Sequence, residues 1–227
     1  MAAINADFDA RVLIHSADLP WVASPMPGVE RRMLDRLGDE VARATSVVRY
    51  APASAFSPHT HGGGEEFLVL DGVFQDEHGD YPTGTYVRNP PTSRHTPGSA
   101  PGCTILVKLW QFDPDDRTPV RVETAGEVGR AAEDRPGVRQ LPLFEDAREC
   151  VRIETWRSGS VQRLADHGGL ELFILDGALS ESGDALKPGS WLRLPPDRPL
   201  EATAGPAGAR LWVKTGHLAR GVSAPAD

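Results

Sequence analysis

The feature that most constrains this chain is an internal repeat. Residues Glu66–Gly72 read EFLVLDG, and residues Glu171–Gly177, 105 positions later, read ELFILDG. The same shift places Gly84 on Gly189, Arg88 on Arg193 and Pro90-Pro91 on Pro195-Pro196. An ordered series of matches at constant spacing indicates a tandem duplication, in which each half is one structural unit. We therefore expect a first domain over residues 1–117 and a second over residues 118–227.

Each half consists of short apolar runs separated by turn-forming residues. The runs are FLVL, TYVRN and TILVKLWQF in the first half, and LFIL, SWLRL and RLWVK in the second. The 23 glycines and 20 prolines supply many turns, and a hydrophobic content of 40% is enough for a core. This pattern predicts an all-β protein built from two barrels or sandwiches. The one stretch with weak helical character runs from Arg31 to Ala42.

Charge and cysteine content exclude several classes of function. The net charge is −8, so a nucleic-acid backbone would be repelled, and no basic stripe offsets this. The opening MAAINADFDARVLIHS lacks the pattern of a secretory signal, and no apolar run is long enough to cross a bilayer. Two cysteines, Cys103 and Cys150, are too few for a disulfide scaffold or a cysteine-rich zinc finger. We expect a cytoplasmic protein that binds neither nucleic acid nor membrane.

The stretch from Pro58 to Gly72, PHTHGGGEEFLVLDG, places two histidines and a glutamate just ahead of a strand. Side chains alternate along a strand with period two, so His59 and His61 would project from one face. The run Gly62-Gly63-Gly64 permits a tight turn, because glycine adopts positive φ without steric cost. Glu65 begins the next strand and would return its carboxylate toward the two imidazoles.

A fourth ligand is expected from His95, which follows a second strand and a Pro-Pro turn. Imidazole nitrogen and carboxylate oxygen together suit Zn²⁺, Fe²⁺, Mn²⁺, Ni²⁺ or Co²⁺. A His-x-His in a turn is by itself more often solvated than metal-bound, but its combination with Glu65 and His95 favours a metal site. The sequence predicts one divalent ion per chain, held by His59, His61, Glu65 and His95, and does not identify the metal.

These motifs resemble a known family. HTHGGGEEFLVLDG resembles the first cupin motif, and YPTGTYVRNPPTSRH resembles the second, with its glycine turn at Gly84 and its histidine at His95. The segment Trp21–Phe112 is similar to the cupin domain of ChrR-type anti-sigma factors. The resemblance implies two tandem cupin barrels of the double-stranded β-helix (jelly-roll) type, and it implies metal ligation by the same four residues. Such factors also carry an N-terminal zinc-bearing helical domain, which nothing before Trp21 matches, so we expect no sigma-factor binding of the familiar kind.

The second half lacks the ligands. The 105-residue shift places the four ligand positions on Leu164, Asp166, Leu170 and Leu200. His167 lies one place out of frame without a partner set, and we expect it on the surface. The second half is therefore predicted to be a metal-free structural or interface barrel.

Three functions remain open. The first is a metal-dependent enzyme acting on a small organic molecule, with dioxygenase-type chemistry as one candidate. The second is a ChrR-like sensing module that binds metal without catalysis, and the third is a structural bicupin. Phe67 and Val69 share the face of Glu65, so they either line a substrate cavity or form ordinary core. A homodimer is a further expectation, because cupins often pair.

Overall fold

The protein folds almost entirely into antiparallel strands. The computed structural model describes residues 3–39 and 41–225, and the helical structure in this part of the chain is a 3-10 turn over Ser16–Asp18. The prediction of an all-β protein is therefore confirmed. Contacts divide the chain into two compact units. Unit 1 contains residues 19–125 with short pieces of both chain ends, and unit 2 contains residues 7–18 and 126–222.

The strands are numbered in chain order. The first fourteen are β1 (Ala3–Ile4), β2 (Val12–His15), β3 (Val22–Ala23), β4 (Val29–Gly38), β5 (Ala42–Tyr50), β6 (Ser54–Ala55), β7 (His59–Thr60), β8 (Glu65–Asp76), β9 (Gly79–Pro82), β10 (Thr85–Asn89), β11 (Arg94–His95), β12 (Gly98–Ser99), β13 (Cys103–Leu109) and β14 (Val120–Glu123). The remainder are β15 (Arg130–Ala131), β16 (Val138–Glu145), β17 (Cys150–Trp156), β18 (Val161–Leu164), β19 (Leu170–Glu181), β20 (Asp184–Leu186), β21 (Ser190–Leu194) and β22 (Leu200–Thr215).

The main sheet of unit 1 runs in the order β1-β4-β5-β13-β8-β10-β14. The short strands β7 and β11 form a separate ladder. Alternate residues of the central strands point to one side, and there Phe67, Val69, Phe74 and Ile105 are almost fully buried in a hydrophobic core. Phe67 and Val69 are thus core residues, which was one of the two alternatives predicted for them.

The region from Arg31 to Ala42 forms strands, so the prediction of weak helical character there is wrong for the residues that the structure describes. Strand β4 covers Val29–Gly38 and pairs along its length with β5. Pairing on a half-buried sheet overrides a weak local preference, because strand propensity depends mainly on packing against neighbours. A β-bulge between Met33 and Asp35 adds one residue to β4.

Unit 2 has the same strand order as unit 1, place for place. Its main sheet runs β15-β16-β17-β22-β19-β21-β2. The bulge is repeated as well, because the register between β16 and β17 shifts between Pro142 and Phe144. The predicted division between residues 117 and 118 falls just before β14, which pairs with β10 in unit 1. The duplication seen in the sequence is thus matched by two sheets of equivalent topology.

Across residues 3–39 and 41–225 the structure has no helix with the length and apolar character required to span a bilayer.

Candidate metal centre

Three histidines of unit 1 meet at one point. His59 on β7 pairs directly with His95 on β11. His61 follows β7, and its backbone N–H donates to the carbonyl of Ser93 at 2.9 Å, which extends the same ladder. One ring nitrogen from each histidine lies within 4.8 Å of the others. The structure therefore brings together three of the four predicted ligands, in a group that could hold a metal ion.

The carboxylate of Glu65 lies beside this group. Its Oε2 atom is 3.6 Å from Nε2 of His61 and 3.5 Å from Nε2 of His95. The side-chain amide of Asn89 donates to the same oxygen at 3.1 Å, which fixes the orientation of the carboxylate. His61, Glu65 and His95 are buried, and His59 is half-buried. The four side chains thus converge, and their assignment as ligands stays a prediction.

Two buried nitrogen atoms in this group lack hydrogen-bond partners. Nε2 of His61 and Nε2 of His95 are inaccessible to solvent and have no hydrogen-bond partner among the residues that the structure describes. Buried polar groups are almost always paired, and an exception needs a physical explanation. A cation accepting both nitrogen lone pairs together with the Glu65 carboxylate would satisfy them, since imidazole and carboxylate form a common donor set for divalent metals. The residues present therefore fit a metal ion.

Asp76 orients His95. Its Oδ2 atom lies 3.1 Å from Nδ1 of His95, and Asp76 itself accepts hydrogen bonds from the Tyr81 hydroxyl at 3.0 Å and the His78 backbone at 2.8 Å. A carboxylate on Nδ1 fixes the tautomer that leaves Nε2 available as a ligand. Sequence reasoning missed Asp76, because the repeat gives no signal: the 105-residue shift places it on Glu181, which binds Arg11 at 2.6 Å.

The electrostatic environment differs among these groups. Burial lowers the pKa of His61, and the nearby charge of Glu65 only partly offsets this. Burial also lowers the pKa of His95, but the hydrogen bond that His95 donates to Asp76 and the charge of Glu65 outweigh burial and raise it. Burial raises the pKa of Asp76, yet its hydrogen bonds to His95 and the His78 backbone lower it overall. His61 is thus neutral at pH 7, the state in which an imidazole nitrogen can bind a metal.

The glycine run serves packing more than turning. Among its members Gly64 alone has positive φ, at 78°. A Cβ atom on Gly62 or Gly63 would lie 2.8 Å or 2.3 Å from the Trp110 ring. The indole of Trp110 therefore lies directly on the loop that carries His61. The sequence predicted the tight turn but gave no signal for the contact with Trp110.

A cavity of about 390 Å³ opens beside the cluster. This volume is within the range of small-molecule binding sites. Arg94, which precedes His95, is exposed and does not line this cavity. The apolar part of the wall is formed by Val29, Val41, Ala44, Val48, Phe56, Ile105, Val107, Leu109 and Trp110.

The equivalent positions of unit 2 hold no ligand set. Leu164 pairs with Leu200, and both pack with the fully buried Leu170 in the core of the unit. Asp166 is exposed. His167 was expected on the surface, but it is only 9% exposed and its Nε2 lies 2.9 Å from the Arg198 carbonyl, so this expectation is wrong. This hydrogen bond to a residue 31 positions away anchors His167 in the loop before β19.

The family of the first unit follows from comparison with known proteins. Residues 9–113 match the family model described as the ChrR cupin-like domain. This segment is similar in sequence to ChrR-type cupin domains. The match confirms the resemblance carried by the histidine and glycine motifs. A search of curated proteins found no match to the chain.

Solved structures with cupin architecture resemble the chain along most of its length. A candidate dioxygenase from Nostoc punctiforme has a TM-score of 0.76 and 14% identity, covering 96% of this chain and 87% of its own. The bacterial pirin YhhW from Escherichia coli, in complex with nickel(II), has a TM-score of 0.65 and 12% identity, covering 91% and 98%. A cupin 2 conserved barrel domain protein from Leptotrichia buccalis has a TM-score of 0.61 and 13% identity, covering 90% and 96%. These likenesses show that the fold is that of the cupins.

Proposed function

We propose that unit 1 binds one divalent metal ion through His59, His61, Glu65 and His95. The observation that carries this proposal is the pair of buried Nε2 atoms, on His61 and His95, that face Glu65 without hydrogen-bond partners among the described residues. Nitrogen and oxygen ligands of this kind bind zinc, iron, manganese, nickel or cobalt ions, and the ligand set does not discriminate among these metals.

We further propose that the metal site acts on a small organic molecule. The cavity that reaches His59, His61 and Glu65 is largely apolar, and its volume of about 390 Å³ is large enough for a small substrate. A metal ion held by these residues would supply a Lewis acid, or a centre for redox chemistry with O₂. The chain's own residues orient the site: Asp76 fixes the ring of His95, Asn89 fixes Glu65, and the apolar wall excludes water.

The reaction class to test first is a dioxygenase-type oxidation. The likeness to a candidate dioxygenase is one of fold, and fold does not determine reaction. Iron-loaded protein should therefore be supplied with a panel of 1,3-diketones and flavonols while O₂ consumption is recorded. Consumption that requires both the metal and one of these compounds supports the proposal. No turnover with any divalent metal would contradict the enzymatic part of it and leave metal binding to be judged separately.

The alternative is a sensing module that binds metal without catalysis. The match of residues 9–113 to the ChrR cupin-like domain favours it, because that domain is named for a regulatory protein. Under this alternative the metal-loaded chain would show no turnover, and a specific partner protein would be recovered from extracts of stressed cells. Loss of that partner in a His95→Ala variant would distinguish regulated binding from adventitious capture.

A further inference from the structure

Two arginines line the same cavity as the proposed metal ligands. The side chains of Arg31 and Arg36 belong to its wall. The Nε of Arg31 is buried and has no hydrogen-bond partner among the residues that the structure describes. A guanidinium nitrogen of Arg36 donates to the backbone carbonyl of Asp39. Arginine stays protonated throughout the physiological range, so the cavity carries two fixed positive charges. Glu65 is the one carboxylate in the described lining.

The bulge in β4 is what brings both arginines to this side of the sheet. Arg31 and Arg36 are separated by an odd number of positions, so on a regular strand they would face opposite sides. The extra residue between Met33 and Asp35 reverses the alternation. As a result Arg31 pairs with Val48 and Arg36 pairs with Ala44, and both partners line the cavity. Bulges that redirect side chains in this way are common beside active sites.

The arginines lie across the cavity from the proposed ligands. One inward row crosses strands β8, β13, β5 and β4, and it consists of Glu65, Leu109, Ala44 and Arg36. Three inter-strand steps separate the backbones of Glu65 and Arg36 by roughly 14 Å along the sheet, and the sheet's curvature and the long side chains shorten this gap. The residues between them are apolar. The cavity therefore has histidines and a carboxylate at one end, guanidinium groups at the other, and hydrocarbon between.

In unit 2, buried arginines donate their hydrogen bonds to a buried carboxylate. Glu154 on β17 accepts two hydrogen bonds from Arg135, at 2.6 and 2.8 Å, and one from Arg152 at 2.6 Å. Glu154 pairs with Leu211 on β22 in the same way that Val48 pairs with Ile105 on β13. A buried carboxylate of unit 2 thus occupies the place that an apolar valine takes in the cavity wall of unit 1.

At the place that Glu154 occupies in unit 2, the sheet beside Arg31 and Arg36 has Val48. Their positions on β4 correspond to Gln140 and Glu145 on β16, which pair with Glu154 and Cys150 as Arg31 and Arg36 pair with Val48 and Ala44. We propose that the cavity of unit 1 binds a small molecule with an apolar body and a carboxylate group, and that Arg31 and Arg36 bind the carboxylate. The molecule's other end then faces the metal, a placement that rests on the proposed function. A carboxylate from outside takes the role that Glu154 has in unit 2.

The test compares two probes that differ only in charge at one end. Suberic acid monohydroxamate carries a metal-binding hydroxamate and a free carboxylate, and its methyl ester carries the same hydroxamate without the charge. Their affinities for the metal-loaded full-length chain are measured by calorimetry, with the succinic and adipic analogues to vary the span. We expect the carboxylate form of the best-fitting length to bind roughly tenfold to hundredfold more tightly than its ester, as a charge-assisted hydrogen bond would produce.

Matched variants locate the effect. Arg31→Met and Arg36→Met keep an unbranched side chain and remove the charge, so each should reduce the preference for the carboxylate. Arg49→Met is the control, because Arg49 is exposed and is paired with Glu30 outside the cavity. Equal affinity of acid and ester in the wild-type chain would overturn the inference. So would a preference that survives in both cavity variants, or failure of the folded, metal-loaded chain to bind any of the probes.

Failure of the metal proposal gives a different result. The ester reports on the metal end alone, so its binding should disappear after treatment with EDTA if the proposed function is correct. An ester that binds equally with and without metal contradicts the proposed function. In that case the preference for the acid over the ester still decides whether the arginines bind a carboxylate, because the comparison of the two probes in the wild-type chain needs neither metal nor variant.

Discussion

Unit 1 and unit 2 share a strand order, but their interiors differ at equivalent positions. In unit 1, His59 pairs with His95 between β7 and β11. In unit 2, Leu164 pairs with Leu200 at the corresponding place, between β18 and β22. The register of the ladder is kept while the side chains change from candidate ligands to hydrocarbon. The backbone of this fold therefore sets the positions of these residues, and the side chains at those positions decide whether a metal ion could bind there.

Residues that the two halves have in common lie at the other set of alternating positions. Glu66 is paired in register with Arg88 and Lys108, and Glu171 is paired in the same way with Arg193 and Lys214. All six are buried. The repeat visible in the sequence thus includes three shared buried charges, whereas the four candidate metal ligands of unit 1 are replaced in unit 2. This explains why the halves look alike in sequence although only one holds a candidate metal centre.

The largest expected effect concerns the buried charges of unit 2. Glu154→Gln leaves Arg135 and Arg152 without their anionic partner, and removal of one member of a buried ion pair costs about 3–5 kcal/mol of unfolding free energy. Hydrogen exchange should show the loss in the amides of unit 2. Val48→Thr, at the matching position of unit 1, should cost less, because its hydroxyl lies at the wall of a cavity. Similar losses for the two variants would contradict the proposed difference between the interiors.

The next effect compares a leucine with the histidine at the matching place. Leu200→Ala removes a buried side chain from the core of unit 2 and should cost about 2–5 kcal/mol. His95→Ala in metal-free protein should cost less, because the site there is built around a ligand and not around close-packed hydrocarbon. Urea unfolding of both variants after treatment with EDTA measures the difference. A greater loss for His95→Ala in metal-free protein would show that the histidine is mainly structural.

A smaller effect is expected when the orientation of His95 is disturbed. Asp76→Asn weakens the hydrogen bond to Nδ1 of His95, and the loss of such an outer partner typically lowers metal affinity about 10–100-fold. Competition with a chromogenic chelator measures this affinity. Asp80→Asn is the control, since Asp80 is exposed and binds Gln75. Equal metal affinities of Asp76→Asn and Asp80→Asn would contradict the role of Asp76 in orienting His95.

The smallest effect is a dependence of stability on pH. Burial raises the pKa of Glu154, but the charge of Arg152 and the hydrogen bonds from Arg135 outweigh burial and lower it below the ordinary value of 4.5. A carboxyl group with a lower pKa in the folded state stabilises the protein above that ordinary value, and the contribution is lost as the pH falls through the folded pKa. The wild-type unfolding free energy should therefore decline more steeply below pH 4.5 than that of Glu154→Gln. Parallel curves would contradict this assignment.

Much of the fold was predictable from local patterns. Alternating apolar residues and turn formers gave the all-β class, and the constant spacing of the repeat anticipated two units with equal strand order. The weak helical pattern at Arg31 to Ala42 misled, because β4 pairs along its length with β5 and packing in the sheet outweighs a weak local preference. His167 misled for a similar reason: its partner, the Arg198 carbonyl, is separated from it by 31 residues.

Only those residues of the candidate site that belong to short sequence motifs could be predicted. His59, His61, Glu65 and His95 stand out because their residue types and spacing are unusual. Asp76 and Trp110 do not stand out, since their roles depend on a hydrogen bond across strands and on an indole that covers two glycines. The positions of Arg31 and Arg36 in the cavity wall could not be predicted either. The alternation of a regular strand would place them on opposite faces, and the bulge that reverses it has no signal in the sequence.

The central claim is that the interior of unit 1 alone binds metal, and metal content measures this most directly. Purified chain should be saturated with Zn²⁺, dialysed and analysed for metal, alongside His95→Ala and the unit 2 variant His167→Ala. We expect one equivalent in the wild-type chain and in His167→Ala, and none in His95→Ala. Retention of a full equivalent by His95→Ala, or no metal in the wild-type chain, would contradict it.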